Sequence, residues 1–150
     1  MQEGLEALRA LRAAFYLLVL LALAIEVHRK SGNLEEAQAL LAEALTLIDK
    51  TAMRSWAAEL YRLAGECLLA QALPNMQEAG TYFQQALDLA RQQQAKLFEL
   101  RAAMSLGRLW HQQGQRAQAR QLLAEVYDWF TEGFDTADLQ EAKRLLAELS

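Results

Sequence analysis

Few side chains in this sequence have the types needed for chemistry, and their spacing limits what that chemistry could be. There are two histidines, His28 and His111, and one cysteine, Cys67. Each belongs to a different predicted helix, and no H-E-x-x-H or C-x-x-C spacing exists to hold a metal. The lone thiol allows no disulfide within the chain, and its setting in "GECLLA" reads as a small buried hydrophobe rather than a nucleophile. Glu35–Glu36 looks like a carboxylate pair for acid–base work. It opens a predicted helix, however, where anions meet free backbone N–H groups, and Asp135 and Asp138 read the same way. His111 follows Trp110 at a predicted helix end, where a cation complements the helix dipole. The seven glycines are isolated, so no glycine-rich phosphate loop is present. These observations assign no catalytic, cofactor-binding or metal-ligating residue and imply no cofactor. A hydrolase or transferase would need acids or histidines gathered in one cleft, and the reading is of a protein that is not an enzyme.

The remaining chemical curiosity is "YDWFTEGFDTADLQEAKRLL", Tyr127 to Leu146, where aromatics, a glycine and two aspartates gather. Trp129, Phe130 and Phe134 could form an aromatic cage for a cation. They could equally cover the end of a stack of helices, with Gly133 making a turn and Asp135 or Thr136 capping the last helix. The second reading is preferred, because a terminal repeat has no neighbour to bury its apolar face.

The elements that would position these residues are helical. The chain has 150 residues, 53% of them apolar and mostly Ala or Leu, with a single proline, Pro74. That composition favours helix nearly throughout, and the length suits one domain over residues 1–150. The net charge is −4, and the basic residues are scattered rather than striped, which argues against a nucleic-acid partner. The apolar run "AAFYLLVLLALAI", Ala13 to Ile25, spans roughly 20 Å as helix, short of the roughly 30 Å hydrocarbon core. Glu3 and Glu6 accompany Arg9 and Arg12 before it, so it lacks the basic leader of a signal peptide. The expectation is a cytoplasmic protein without a membrane segment.

Four segments repeat: "EAQALLAEAL", "EAGTYFQQAL", "QARQLLAEVY" and "EAKRLLAELS". Their trios are Ala37, Leu41 and Ala44; Ala79, Phe83 and Ala86; Ala119, Leu123 and Val126; and Ala142, Leu146 and Leu149. Spacings of four and three put each trio on one helical face, with a small residue admitting a close neighbour. Gly32 and Gly114 stand five residues before Ala37 and Ala119, as helix stops that take positive φ. Upstream, "LYRLAGECLLA" places Gly65 where "AMSLGRLWHQQG" places Gly107. The unit is therefore helix, tight turn, helix. Helices are predicted near 5–30, 34–50, 54–72, 76–94, 97–113, 116–130 and 136–149, the last read as the second helix of a pair without its partner.

This pattern resembles the tetratricopeptide repeat, W-x₂-L-G-x₂-Y followed by A-x₃-F, best in Leu106, Gly107, Trp110, Gly114, Ala119 and Leu123. The steps Ala37 to Ala79 and Ala79 to Ala119 are 42 and 40 residues, so its helices run longer than in the common form. More narrowly, "AAELYRLAGECLLA", "YFQQALDLARQQQAKLFELRAAMSLGRLWHQQGQ" and "ARQLLAEVYDWFTEGFDTADLQEAKRLL" resemble the C-terminal helical-repeat arm of bacterial multidomain signalling regulators that carry cyclase and ATPase domains. The chain has no phosphate-binding loop, cyclase domain or kinase motif, so that family's enzymology is not carried over. The resemblance implies an all-α fold. It would be a TPR-like right-handed superhelix of about seven antiparallel helices, with repeats near 12–50, 54–94 and 97–131 and a cap over 132–150.

The resemblance also implies that the first helix of each pair lines a concave groove for a partner protein segment. Carried over by position, the groove residues are Glu26, Arg29, Glu59, Arg62, Glu66, Arg101, Arg108 and His111. The bland reading of Glu59–Arg62 and Arg62–Glu66 is ordinary intrahelical pairing, worth a few tenths of a kcal/mol each. The first helix is apolar on every side, through Phe15, Leu17, Leu18, Leu20 and Leu21, and needs cover all round. A second copy of the chain could supply that cover and make a homodimer. The function expected is a non-enzymatic protein–protein interaction scaffold or regulatory arm. The alternative is a small-molecule-sensing repeat module with a pocket between hairpins, near Trp110, Trp129 and Phe134.

Overall fold

A computed structural model of the chain describes residues 2–51 and 53–150. Among them are seven α-helices, one short 3₁₀ turn and no strand. The helices are α1 (Gln2–Lys30), α2 (Leu34–Thr51), α3 (Ala57–Leu69), α4 (Met76–Gln92), α5 (Lys96–Gln112), α6 (Arg116–Asp128) and α7 (Ala137–Leu149), with the 3₁₀ turn at Arg54–Trp56. Predicted boundaries fall within a few residues of these, except that α1 starts earlier and is continuous over 29 residues.

Tight turns join α1 to α2, α4 to α5 and α5 to α6. After α1, Gly32 takes φ +85° and Asn33 N–H donates to the His28 carbonyl; after α5, Gly114 takes φ +82° and Gln115 N–H donates to Trp110. Both use glycine where a Cβ would be strained. The α4–α5 turn repeats the geometry with Gln94 at φ 55°, a non-glycine residue in the same left-handed region, and Ala95 N–H donates to Ala90. Asn75 caps α4 by accepting from Glu78 N–H at 3.1 Å.

Each helix packs on its chain neighbours, and the odd-numbered helices also touch one another in the order α1, α3, α5, α7. This arrangement explains two kinds of burial. The even helices bury one stripe each: Ala37, Leu41 and Ala44 in α2; Ala79, Phe83 and Ala86 in α4; Ala119, Leu123 and Val126 in α6. Those are the predicted trios. In contrast, α3 and α5 have neighbours on several sides and bury most of their surface, including Glu59, Arg62, Glu99 and Ser105. The space between α3 and α4 is closed by Gly65, where an added Cβ would stand 2.5 Å from the Phe83 ring. At Gly107 the same atom would meet nothing closer than 3.9 Å.

Two expectations need correction. First, α7 is not a second-of-pair helix: it lies on both α5 and α6, in the odd row. Its buried face is accordingly Leu139, Ala142, Leu145 and Leu149, with Leu146 only partly buried. Second, α1 as a whole is long and apolar enough to cross a bilayer, with an 18-residue stretch of mean hydropathy 2.1. The 13-residue run understated it because the helix continues through Leu5, Leu8 and Leu11 before it and Val27 after it.

Candidate functional site

Because the odd helices lie side by side, their polar side chains converge on one groove of about 580 Å³. Seven of the eight residues chosen from sequence line it: Glu26 and Arg29 from α1, Glu59, Arg62 and Glu66 from α3, Arg101 and Arg108 from α5. His111 does not join them. It follows Arg108 by one turn in the last turn of α5, where it is exposed.

The groove wall is a ladder of alternating charges. Arg62 forks onto Glu59, with Nε to Oε2 at 3.0 Å and Nη2 to Oε1 at 2.7 Å, and its Nη1 lies 3.8 Å from Glu66. Arg101 reaches from α5 to Glu59 at 3.4 Å and to Asp138 of α7 at 3.0 Å. Ser105 donates to Glu66 at 2.7 Å, Arg29 to Glu26 at 2.9 Å, and Arg108 pairs with Glu141. The pairs at 59/62 and 62/66 do have intrahelical spacing. What the sequence does not reveal is that Glu59 and Arg62 are buried and that Arg101 bridges them to α7. That signal depends on which helices are neighbours, which local spacing does not give.

Electrostatics follow from this crowding. Burial alone would lower the affinity of Arg62 for its proton, but the hydrogen bond and charge of Glu59, with Glu26 and Glu66 nearby, hold the guanidinium well above its ordinary value. Burial likewise works to raise the Glu26 carboxyl. The Arg29 hydrogen bond and the charges of Arg29, Arg62 and Lys30 outweigh it and hold that carboxyl below the usual range. Burial pushes the Cys67 thiol up, consistent with a packed side chain, not an activated nucleophile.

An aromatic row at one rim was also invisible in the sequence. Trp56 lines the groove and meets Phe15 of α1 edge-on at 6.2 Å and Phe98 of α5 at 5.2 Å. Residues from three separate elements make this row, so no local spacing announces it.

The aromatic stretch after α6 behaves differently. Tyr127 and Phe130 pack on the core, whereas Trp129 and Phe134 are half exposed. Trp129 stands edge-on to Phe130 with Lys96 over its ring, and Phe134 tilts against Tyr127. Trp110 lies elsewhere, beside Met76 and Gly80. The three aromatics proposed for a small-molecule pocket are therefore not brought together. The end of the stack is sealed by α7 rather than by these rings. Gly133 does make the turn, at φ +79°, and Thr136 occupies the cap position, but its hydroxyl donates back to the Gly133 carbonyl instead of accepting from the helix.

Of the self-association candidates, Leu18 and Leu21 face inward and are buried against the first hairpin's core. They are removed from any outer surface. Phe15, Leu17 and Leu20 remain exposed. Among the described residues no group of three or more His, Cys, Asp or Glu is placed to hold a metal. Comparison with family models, curated proteins and solved structures finds no match to this chain.

Proposed function

We propose that this chain is a non-enzymatic, cytoplasmic interaction module of the tetratricopeptide type, acting as a scaffold or as the regulatory arm of a signalling protein. Its groove holds a segment of a partner protein. The observation that carries this reading is the convergence of charged residues from four odd-numbered helices on one continuous wall. A surface of this kind offers paired donors and acceptors at the helical repeat spacing, which suits a chain that presents its own polar groups at intervals. The opposed signs argue for a mixed-charge segment rather than a polyanion. Lys30 and Arg108 lie toward solvent and are free to re-pair with a ligand, while Glu59 and Arg62 hold the wall in place.

Panning a random peptide library against the chain tests the reading. Selected peptides should bind the Lys30→Glu/Arg108→Glu variant at least tenfold more weakly. Peptides that bind both proteins equally would place the binding surface elsewhere.

A further inference from the structure

We propose that the outer face of α1 is covered by α1 of a second copy of this chain, packed antiparallel. This inference stands without the groove reading, although the two surfaces meet at Leu23, which also lines the groove. The face is large. Leu5, Leu8, Tyr16, Leu20, Leu23 and Val27 are each 52–65% exposed, and they form a stripe along the whole helix. Residues 2–13 are exposed all round, so the first three turns project beyond the helices that cover the rest of α1. At roughly 100 Å² per side chain the stripe offers roughly 600 Å². The aliphatic stems of Arg9 and Arg12, which interrupt it, bring the total close to the roughly 800 Å² per partner that a specific dimer buries.

The spacing fits a helix as occupant. Tyr16, Leu20, Leu23 and Val27 recur at four, three and four residues, the rhythm of a seam between two helices. The end charges choose the direction. Acidic Glu3 and Glu6 lie at the start of α1, and His28 and Lys30 lie in its last turn, where Arg29 is already paired with Glu26 on the groove side. Antiparallel pairing sets each acidic start beside a basic end and opposes the two helix dipoles, whereas parallel pairing would set like against like. A bilayer is the poorer occupant. Insertion would draw Leu18, Leu21 and Ile25 out of the core they share with α2 and α3, and would carry Arg9 and Arg12 with them.

Light scattering on the full chain across a concentration series is the test, with Leu20→Glu/Leu23→Glu beside it. The wild type should double in mass as concentration rises, and the variant should stay monomeric with unchanged helical circular dichroism. Both positions are exposed, so the variant retains its core. For direction, chains bearing Leu5→Cys and chains bearing Val27→Cys should cross-link to one another under oxidation. A monomer at every concentration, a dimer that survives both glutamates, Leu5→Cys chains linking only among themselves, or pelleting with phosphatidylcholine–phosphatidylglycerol vesicles in place of dimerisation would overturn the proposal.

Discussion

The two ends of this helix stack are finished in opposite ways. At the C-terminal end α7 turns Leu139, Ala142, Leu145 and Leu149 inward. Its acidic residues meet α5 through Arg101–Asp138 and Arg108–Glu141, and Arg116 of α6 donates to the backbone carbonyls of Glu148, Leu149 and Ser150. That last contact places a cation on the unpaired carbonyls of a helix end, where the dipole favours it. At the N-terminal end α1 shows leucine on its inner and outer faces alike. One end is amphipathic and closed. The other is apolar on both sides, with Leu18 and Leu21 buried and Leu20 and Leu23 exposed.

The sharpest way to break this comparison is to truncate one leucine at each end. Leu145→Ala should cost about 2–5 kcal/mol, the range for a buried leucine whose cavity does not fully collapse. Leu20→Ala in dilute protein should stay within about 0.5 kcal/mol, as for an exposed position without partners. Urea denaturation followed by circular dichroism measures both, and equal losses would erase the distinction between the ends.

A smaller effect sharpens it inside the stack. Gly65→Ala forces a methyl against Phe83 and should destabilise by about 1–3 kcal/mol. Gly107→Ala meets only ordinary contact with Ala119, at 3.9 Å, and should be neutral or stabilise by up to about 1 kcal/mol, since alanine is the better helix former. Thermal melts of the two variants should move in opposite directions or, at the least, by clearly different amounts.

The smallest effect is electrostatic and belongs to the groove side of α1. The lowered Glu26 pKa means that its ion pairs stabilise the fold above the ordinary carboxylate range and that this contribution is lost as pH falls through the lowered value. Glu26→Gln should therefore flatten the acid limb of the stability profile, by less than about 1 kcal/mol for a pair partly open to water. Melting temperatures across the acid range would show it, and an unchanged acid limb would mean that the Arg29 pair contributes nothing.

Much of this was written in the local sequence. Ala37, Leu41 and Ala44 announce a buried stripe because helical spacing alone places them together, and Gly32 and Gly114 announce turns because only their backbone geometry is at stake. The groove residues were reached through the tetratricopeptide resemblance, which implies that the first helix of each pair lines a concave surface. What local spacing could not supply is the relation between helices. Leu146 and Leu145 both fit a helical face, and only the seating of α7 across α5 and α6 decides for Leu145. Gly65 and Gly107 hold matching places in the repeat, yet only Gly65 touches an opposing ring, because Phe83 is bulky where α6 has Leu123. Glu59 and Arg62 look like an exposed surface pair until α1 and α5 close over them. The Phe15–Trp56–Phe98 row comes from three elements and has no signature in any one of them.

The groove's role can be read from the three tryptophans, which sit in three different places. Trp56 lines the groove, Trp110 lies on another face and Trp129 belongs to the α6–α7 loop. A nitrogen–proton correlation spectrum of the indole N–H groups, recorded while a library-selected peptide is added, separates them in a single titration. The Trp56 signal should shift in proportion to occupancy while Trp110 and Trp129 hold still. Movement of Trp129 with Trp56 unchanged would contradict the account and assign binding to the aromatic loop.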